Sequence, residues 1–561
     1  MMSDNRYEAI VIGAGMSGSW VAKELCDKGV KTLMLDRGPE VKHLRDYPTA
    51  GKFPWEFEFR GAMRAEHTKA NPIVSKCYAY RDGATHFFAQ DDVQPYVQTK
   101  PFDWIKGYQV GGKSLIWARQ TQRWSKYDFS TPDTNRFGIS WPISYKDIAP
   151  WYSYVEKFVG ISGEKDGLDV LPDGEFQPPM EMSVVGKHLQ RVVKENYNDR
   201  HVIYARCAHL TDPQEIHREQ GRGQCQNRTI CERGCPFGGY FSANSSTIPW
   251  AHRTGNLTLK ANSVVHSILY DDGTGKAIGV NVIDAITKVQ TKYFSNVVFL
   301  NAGAINSTAI LLNSISKRYP NGLGNDNGLL GKYFGFHNYR ALLSATCPGF
   351  EDKVKEGRSP TNEYMPRYVN LNKDKDGFKG AYGVAIYTAR YRKQEIKAIG
   401  TELVNDLLKD KNYKPWSVVS MMMGETLPKE SNSISLDSTR VDQYGIPLIK
   451  FNVGYDDNDE KMMEHFYQEW EQIYEKAGFT NVERIDTGQA PGLDIHEMGG
   501  ARMGKDPKTS ILNAYNQVHT VDNLYVSDGA CMTSTSYQNP SLTYMALAAR
   551  AADHYMKRKG L

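Results

Sequence analysis

The chain has 561 residues, of which 40% are hydrophobic and 24% are charged, and its formal net charge is +4. This composition is typical of a soluble globular protein with more than one domain. The small net charge does not indicate a nucleic-acid partner, and no apolar run reaches the roughly 18 residues that a membrane-spanning helix requires. The first predicted strand begins so close to Met1 that we expect no signal peptide before it. We therefore expect a cytoplasmic protein, periplasmic only if it is exported together with a partner subunit.

The first predicted unit is a strand, a glycine turn, a helix and a second strand. Ala9–Ile12 is a short apolar run typical of a buried strand, and a helix is predicted over residues 19–28. The glycines between them have the spacing GxGxxG: Gly13, Gly15 and Gly18. A second apolar run, 32–35, ends in Asp36, where an acceptor for a ribose hydroxyl is needed. Because the helix N-terminus then faces a pyrophosphate, the stretch predicts a dinucleotide site. The alternative is a glycine turn in an ordinary βαβ unit.

The middle of the chain alternates loops with predicted strands. Residues 40–105 show little periodicity and are interpreted as surface excursions from the first domain. A second glycine turn follows at Gly111 and Gly112, which in isolation indicates a plain loop, and a helix is predicted from Tyr145. Strands are predicted over 256–270 as a pair, 276–282, 288–293 and 296–300. The last strand leads into Asn301-Ala302-Gly303-Ala304 and a helix, which makes a second strand–glycine–helix junction.

The last third of the chain predicts a mixed sheet with helices, followed by a return to the apolar strand pattern. The predicted strands are 382–387, 417–423 and 524–526, and the predicted helices lie near 395–410, 458–478 and 541–555. The region 330–490 is interpreted as a separate layer over the nucleotide domain.

Three of the eight cysteines lie close together, at Cys225, Cys231 and Cys235. Three thiolates in one loop suit iron–sulfur ligation. Tetrahedral zinc would need a fourth ligand, for which His217 is the nearest histidine. The alternatives are three reduced structural thiols, or one disulfide with a free thiol.

Four separated stretches together resemble the glucose–methanol–choline (GMC) oxidoreductases, flavoenzymes that oxidise alcohols with FAD. They are GAGMSG, VGGKS, NAGAINSTAILLNS, and the pair IHEMGGARMG with SDGACMTSTSYQNPSLTYMAL. The resemblance covers nearly the whole chain and is weakest between residues 340 and 480. It is nearest to bacterial sugar dehydrogenases, namely the catalytic subunits of glucose and gluconate dehydrogenase complexes and the glycoside 3-dehydrogenases, with pyranose oxidase more distant.

The resemblance implies an α/β fold with a Rossmann-like FAD-binding domain and a mixed-sheet α+β substrate-binding domain. The FAD-binding domain would comprise residues 1–335 and 491–561, with a cysteine loop at about 205–245, and the substrate-binding domain residues 336–490. The implied FAD contacts are Gly13, Gly15, Gly18, Asp36, Arg37, Gly111, Gly112, Ser114, Val265, Asp528, Gly529, Asn539 and Thr543. Pyranose oxidase binds its flavin covalently through a histidine whose matching position here is Ile116. Since isoleucine has no nucleophile, we expect non-covalent FAD.

Oxidation of an alcohol by hydride transfer needs a base for the hydroxyl proton and a neutral group that holds the oxygen. His496 titrates near neutrality and can accept the proton, whereas the amide of Asn539 can donate a hydrogen bond without acting as a base. The resemblance assigns the same two roles. A lone histidine is more often structural, and the surrounding HEMGGARMG motif is what favours catalysis here. Many family members have two histidines at these positions, so the His–Asn pair points to the sugar-oxidising branch.

The resemblance also gives the cysteines a function. The same spacing holds a [3Fe–4S] cluster in the glucose-dehydrogenase catalytic subunits, which passes electrons singly to an external acceptor. We therefore expect an FAD-dependent sugar or glycoside dehydrogenase, a glycoside 3-dehydrogenase being one candidate, with a small companion subunit and a cytochrome-type acceptor. One alternative is a pyranose-oxidase-like or C-glycoside oxidase-like enzyme that uses oxygen without a cluster. The other is a nucleotide-binding structural or sensor protein that kept the fold.

Overall fold

Two large β-sheets and the helices packed on them form most of the structure. The computed structural model describes residues 5–353, 361–372, 375–391, 399–408 and 414–561. The helices are α1 Met16–Asp27, α2 Ala65–Ala70, α3 Lys126–Thr134, α4 Tyr145–Val159, α5 Val184–Asn196, α6 Glu215–Glu219, α7 Thr247–Arg253, α8 Ala304–Leu312, α9 Thr401–Leu408, α10 Asp457–Lys476 and α11 Ser541–Lys559. The strands are β1 Arg6–Ile12, β2 Thr32–Leu35, β3 Val97–Gln98, β4 Ile161–Ser162, β5 Phe176–Gln177, β6 Leu257–Lys260, β7 Ser263–Asp271, β8 Lys276–Asp284, β9 Gln290–Leu300, β10 His337–Asn338, β11 Ala341–Cys347, β12 Glu363–Met365, β13 Tyr382–Ala389, β14 Trp416–Glu425, β15 Ser433–Val441, β16 Pro447–Asn452, β17 Thr480–Asp486, β18 Gln517–Val518 and β19 Val521–Val526.

The first sheet has a parallel centre built from distant parts of the chain. β1 lies between β2 and β9, β6 continues the sheet beyond β2, and β19 continues it beyond β9. The apolar ends of β1 and β9 are fully buried, as parallel strands covered on both faces require. α11 packs against α1 and α4. The predicted opening strand–turn–helix–strand unit, the strand at 524–526 and the final helix are therefore confirmed.

β9 is one strand where the sequence predicts two. The predicted strands 288–293 and 296–300 join into Gln290–Leu300. Its first half pairs antiparallel with β8 and its second half pairs in parallel with β1. Ser295 interrupts the apolar pattern without ending the strand, because its buried hydroxyl donates to the carbonyl of Val297 at 2.8 Å. β9 thus joins an antiparallel extension to the parallel centre.

The second sheet has the order β12-β13-β14-β11-β17, with β10 paired to the end of β14. These strand pairs are antiparallel. α10 packs on β11, β14 and β17, and its buried Met462, Phe466 and Trp470 recur at helical spacing. The predicted strands 382–387 and 417–423 and the helix 458–478 are confirmed. Of the helix predicted near 395–410, residues 401–408 are helical, and 395–398 and 409–410 lie outside the described residues.

Each of the two hydrophobic cores contains residues from the other side of a predicted domain boundary. Val185 and Leu189 of α5 belong to the core of the second sheet, although they lie far upstream of residue 336. Ile434 and Phe451, from β15 and β16, belong instead to the core of the first sheet. β16 also pairs with β3 near the start of the chain. The division into domains at 335 and 491 therefore stays a prediction.

The stretch 40–105, expected as surface excursions, forms short helical turns that enclose a small core of its own. Tyr47, Phe87 and Ile105 pack there with Leu115 and Ile116, which follow the second glycine turn. This stretch therefore supports that turn from one side. Within the described ranges, no helix is both long and apolar enough to cross a bilayer.

Candidate active site

The first glycine turn is shaped by two close backbone approaches. Gly13 has a φ of +95°, and a Cβ there would lie 2.3 Å from the carbonyl oxygen of Asn301. A Cβ on Gly18 would lie 1.9 Å from the carbonyl oxygen of Gly13. Gly15 differs, because a Cβ there would meet nothing within 4 Å. The first and third glycines therefore let strand and helix pack, whereas Gly15 borders open space at the N-terminus of α1.

The second glycine turn lies directly against the first. The amide of Gly111 donates to the carbonyl of Ala14 at 3.2 Å, and a Cβ on Gly112 would lie 3.2 Å from the Cα of Gly15. The place of a Cβ on Gly111 is taken by Asn244, whose Oδ1 would lie 1.7 Å away. The second turn, which in isolation indicates a plain loop, therefore forms one structure with the first. We call Gly13, Gly15, Gly18, Gly111 and Gly112 together the glycine cradle.

Asp36 stands at the end of β2, where the sequence places a ribose acceptor. Its carboxylate accepts the amides of Ala14 at 2.7 Å and Gly38 at 3.2 Å. Burial raises the pKa of this carboxyl to about 7, although both amides lower it. The neighbouring Arg37 forms an ion pair with Asp442 at 3.3 Å. Two buried carboxylates therefore lie at the end of β2, that of Asp36 itself and that of Asp442, which is paired with Arg37.

One cavity of about 770 Å³ joins the glycine cradle to both ends of the chain. The predicted residues that line it are Gly13, Gly15, Asp36, Arg37, Gly112, Val265, His496, Asp528, Gly529 and Asn539. Its volume is within the range of small-molecule and cofactor sites. The carboxylate of Asp528 accepts the amide of Gly303 at 2.8 Å, which connects the second strand–glycine–helix junction to the same wall.

Four predicted FAD contacts lie behind the wall of the cavity: Gly18, Gly111, Ser114 and Thr543. The Ser114 hydroxyl donates to the carbonyl of Gly111 at 2.6 Å and accepts the amide of Ala243 at 2.9 Å. The buried Thr543 hydroxyl lies 2.8 Å from that of Tyr152. Ser114 therefore braces the second turn, and Thr543 ties α11 to α4. Ile116 does line the cavity.

His496 and Asn539 meet in the cavity wall. Asn539 immediately precedes Pro540, the N-cap of α11, and its amide nitrogen lies 3.4 Å from Nε2 of His496. The preceding Ile495 has a φ of +65°, a region that β-branched residues rarely occupy. Asp494 holds this turn, because its carboxylate accepts the amide of His496 at 3.2 Å. Such backbone strain persists where the surroundings enforce it, which is typical of functional sites.

Two residues that sequence reasoning missed complete the group around His496. The Nδ1 of His337 lies 3.0 Å from Nδ1 of His496, and the Tyr339 hydroxyl lies 3.1 Å from the same atom. The Nε2 of the buried His337 lies 3.2 Å from the carbonyl oxygen of Thr535 and 3.0 Å from that of Ser536. No local motif marks His337. The pairing of β10 with β14 brings it to the site.

The electrostatics of the site keep His496 neutral. Burial lowers its pKa well below the ordinary value, and the nearby His337 and Lys113 lower it further. Burial also lowers the pKa of His337 to about 4. Lys113, from the second glycine turn, binds both carboxylate oxygens of Glu497 at 2.7 and 2.8 Å. A neutral imidazole at physiological pH is the form that can accept a proton.

A polar region of the cavity wall contains Tyr78, Arg119, Glu232, Thr361 and Tyr387. Arg119 is buried, and its guanidinium binds the carboxylate of Glu232 at 2.6 Å and the hydroxyl of Thr361 at 3.3 Å. Its φ of +65° is a second point of backbone strain. Because Glu232 lies between the second and third clustered cysteines, the cysteine loop forms part of the cavity wall.

The three clustered cysteines differ from the other five in exposure. Cys225, Cys231 and Cys235 are half-buried, whereas the others are buried, and all eight are free thiols. The Sγ of Cys231 lies 3.7 Å from Nε2 of His209. Cys235 lies near Arg222, whose guanidinium is fully buried. The loop therefore presents three partly accessible sulfurs beside buried cationic and imidazole groups.

The residues of the cavity fit a flavin dinucleotide. The open side of Gly15, the N-terminus of α1 and the carboxylate of Asp36 provide the contacts that a pyrophosphate and a ribose need. Two buried amide atoms of lining residues, Nδ2 of Asn301 and Oδ1 of Asn539, have no hydrogen-bond partner within the described parts of the chain. Buried polar groups are rarely left unpaired, and these two atoms are available to a polar ligand in the cavity.

Comparisons with known proteins agree with this geometry. Profiles of the GMC oxidoreductase family match residues 7–337 and 428–548. The chain is 27% identical to 2-methyl-1,2-propanediol dehydrogenase of Mycolicibacterium austroafricanum, over 99% of this chain and 96% of that protein. It is 25% identical to the fructose dehydrogenase large subunit of Gluconobacter japonicus, over 97% of each. Pyridoxine 4-oxidase from Mesorbium loti shares the fold, with a TM-score of 0.61, 14% identity and coverage of 98% of this chain and 99% of that chain.

Proposed function

Because the chain belongs to the GMC oxidoreductase family, whose members oxidise alcohol and sugar CH–OH groups, we propose that it oxidises a hydroxyl of a sugar or glycoside to a ketone or lactone. The observation that carries the proposal is that His496 and Asn539 share one cavity with both glycine turns. FAD, when bound, supplies the acceptor for the hydride of the alcohol carbon. Ile116 offers no atom for a covalent bond to the flavin, so FAD is held non-covalently.

The chain's own residues handle the proton. His496 is neutral and takes the hydroxyl proton, and the amide of Asn539 holds the hydroxyl oxygen. The neighbouring His337 and Asn539 are both buried, which holds their polar groups in place beside His496. The glycine cradle and Asp36 bind the nucleotide half of FAD, and Asp528 with Gly529 lines the wall between that half and His496.

The polar wall favours a polyhydroxylated substrate over a simple alcohol. Tyr78, Arg119, Glu232, Thr361 and Tyr387 offer both donors and acceptors of hydrogen bonds. A pyranose presents several hydroxyls that each do both, and a site built for them rejects ligands that leave its polar groups unpaired. Oxidation at the third carbon of a glycoside is the regiochemistry that we propose first. The fructose dehydrogenase relative supports a sugar as the substrate class.

A second part of the proposal is an iron–sulfur cluster on Cys225, Cys231 and Cys235, of the [3Fe–4S] type. Arg222 supports it. This guanidinium donates to the carbonyls of Gly238 and Val159, and no carboxylate of a described residue forms an ion pair with it. Burial lowers its pKa to about 9, and the neighbouring Cys235 opposes this shift. A buried cation of this kind needs a nearby anion, which ligated thiolates would supply.

The cluster decides between two classes of enzyme. With a cluster, one-electron transfer to an external acceptor becomes available, and we propose a cytochrome-type acceptor and a small companion subunit. The large-subunit name of the fructose dehydrogenase relative supports such an assembly. The second candidate is an oxygen-using sugar oxidase, which would need no cluster. Dye reduction compared with oxygen consumption, each with sugar present, distinguishes the two.

Replacing His496 tests the proposed chemistry directly. We expect His496→Ala to slow anaerobic flavin reduction by sugar by about 10²–10⁴-fold, roughly 3–5 kcal/mol of barrier, because the positioned base is lost. Asn539→Ala should slow the step less, since the amide positions the hydroxyl without taking its proton. Rapid mixing with glucose, fructose and methyl glucosides under argon isolates this half-reaction. The exposed His201→Ala serves as control. A wild-type rate in His496→Ala would refute the assignment of the base.

Replacing Cys231 tests the cluster. We expect Cys231→Ser to lose bound iron and acid-labile sulfide and to stop electron transfer to a cytochrome, while sugar still reduces the flavin. The control is Cys26→Ala, a buried thiol of α1 that is remote from the loop in sequence. Iron analysis and EPR of anaerobically purified protein provide the measurement. Wild-type protein that contains no iron would end this part of the proposal.

A further inference from the structure

We propose that His337 is a positioning residue that fixes the tautomer of His496, so that the unprotonated Nε2 of His496 faces the reacting hydroxyl. This inference rests on the proposed function, because it assigns a role in the same reaction. It follows from a line of contacts that runs from two backbone carbonyls through His337 to His496. Each contact in that line determines which nitrogen carries hydrogen.

The line starts at the carbonyl oxygens of Thr535 and Ser536. They lie 3.2 and 3.0 Å from Nε2 of His337. A carbonyl oxygen can only accept, so Nε2 of His337 must carry hydrogen. His337 is fully buried and neutral, as its lowered pKa also indicates. A neutral imidazole has one N–H, and its Nδ1 is therefore an acceptor.

The next contact transfers this constraint to His496. The two Nδ1 atoms are 3.0 Å apart, and two lone pairs at that distance would repel each other. One hydrogen must lie between them, and it belongs to His496, because Nδ1 of His337 is the acceptor. The remaining nitrogen of the neutral His496, Nε2, is then free of hydrogen. It lies 3.4 Å from the amide nitrogen of Asn539, a donor, which agrees with this assignment.

The other charged and titratable groups near His496 do not set its tautomer. The Tyr339 hydroxyl lies 3.1 Å from Nδ1 of His496 and 3.4 Å from Nδ1 of His337, and a hydroxyl is able to donate or accept. Asp494 accepts the backbone amides of His337 and His496, at 2.9 and 3.2 Å, and so fixes the separation of the two residues. Lys113 is bound to Glu497.

The assignment also accounts for the two hydrogens that the His496 ring carries after the proton transfer. The hydroxyl proton moves to Nε2 of His496, the carbon–hydrogen electron pair leaves as hydride for FAD, and a carbonyl remains. His496 then carries hydrogen on both nitrogens. Its Nδ1–H still donates to His337, so the hydrogen bond is kept before and after the proton transfer. Such preorganisation avoids rearrangement during the step.

Two substitutions of His337 test the inference in the FAD-bound enzyme. The amide of His337→Gln can donate to the carbonyls and accept from Nδ1 of His496, so we expect flavin reduction within roughly tenfold of wild type. His337→Leu can do neither, and loss of tautomer control costs up to about 10⁴-fold in serine proteases, so we expect a rate at least 10²-fold lower. His201→Ala, at an exposed position outside the cavity wall, is the control and should retain the wild-type rate. A His337→Leu rate equal to wild type would overturn the inference.

Neutron diffraction of perdeuterated FAD-bound crystals gives a readout independent of activity. We expect deuterium on Nδ1 of His496 in wild type and in His337→Gln, at a pH near 7. Deuterium on Nε2 in wild type would overturn the inference even if His337→Leu fails to fold. If wild-type flavin is not reduced by any sugar, the proposed function fails, while the tautomer seen by diffraction still decides the role of His337.

Discussion

At the scale of single residues, the space in the cavity depends on glycines, which have no side chain to fill it. The glycines of the first turn have different surroundings. A Cβ on Gly18 would collide with the carbonyl oxygen of Gly13, whereas Gly15 borders only the cavity. A methyl group at the two positions should therefore have two different effects, one on the fold and one on binding.

We expect Gly15→Ala to leave the free energy of unfolding of the flavin-free protein within about 0.5 kcal/mol of wild type. The added methyl occupies cavity space, so FAD should bind at least about tenfold more weakly, or roughly 1.4 kcal/mol. Gly18→Ala should instead destabilise the fold itself, by about 3 kcal/mol, the upper end of the usual range for overpacking. Urea unfolding and fluorescence titration with FAD measure the two effects.

Gly51→Ala is the matched control, because a Cβ there would also meet nothing within 4 Å but Gly51 does not line the cavity. It should change neither FAD affinity nor stability. Equal losses of FAD affinity in Gly15→Ala and Gly51→Ala would contradict the explanation.

The site residues that could be predicted from the sequence are those that belong to a short local motif typical of their function. Gly13, Gly15 and Asp36 belong to one short βαβ motif, and His496 and Asn539 stand in recognisable stretches. Their places in the cavity follow from chain-local rules. His337 was not predictable, because its role arises from a hydrogen bond across 159 residues of sequence. Ser114 and Thr543 face away from the cavity for a similar reason, since distant partners bind their hydroxyls.

At the scale of elements, the end of β14 holds a buried acid next to the site. Glu425, on β14, lies directly opposite His337, on the antiparallel strand β10. Burial raises its pKa to about 8, although the guanidinium of Arg367 lowers it. A carboxyl whose folded pKa exceeds its unfolded value contributes stability that is complete below the unfolded pKa, 4.5, and is lost as the pH rises through about 8.

We expect Glu425→Gln to remove this pH dependence. The free energy of unfolding of the variant, relative to wild type, should increase between pH 5 and pH 9 by on the order of a few kcal/mol, because the amide is never ionised. Urea unfolding across that range measures the difference. The exposed Glu483→Gln in β17 is the control and should track wild type at every pH. A constant difference between Glu425→Gln and wild type would show that Glu425 does not titrate in this range.

Most elements were predictable because their periodicity is strong, as for α10 and the apolar runs of the first sheet. The elements against which they pair or pack were less predictable. The joining of two predicted strands into β9 depends on the buried hydroxyl bond of Ser295, which no alternation pattern reveals. α5 is amphipathic, but its sequence does not state that its apolar face belongs to the second sheet. Pairing over long sequence distances is decided by tertiary packing, which propensity does not encode.

At the scale of the whole molecule, one ligand would touch both ends of the chain. The wall of the cavity contains Gly13 and Gly15 near the start, and Asp528 and Asn539 near the end. A flavin bound there adds stability only to the folded state that brings these segments together. Its effect should therefore appear in the unfolding of the entire first sheet.

We expect added FAD to raise the melting temperature of flavin-depleted protein in a concentration-dependent way. Free FAD at 100 times its dissociation constant should contribute about 2.7 kcal/mol. Calorimetry at several FAD concentrations measures the shift, and Gly15→Ala should need correspondingly more FAD for the same shift. A melting temperature independent of FAD would mean that the cavity does not bind it.

The strand order of the first sheet also determines when its strands can pair during synthesis of the chain. β9 ends at Leu300, and its neighbour β19 ends at Val526, so the ribosome must add the intervening residues before that edge is covered. At 5–20 residues per second this takes roughly 10–45 s. During that interval the nascent chain displays an apolar, unpaired strand edge, which is an aggregation hazard. We therefore expect the newborn polypeptide to be most prone to aggregation until its last stretch emerges.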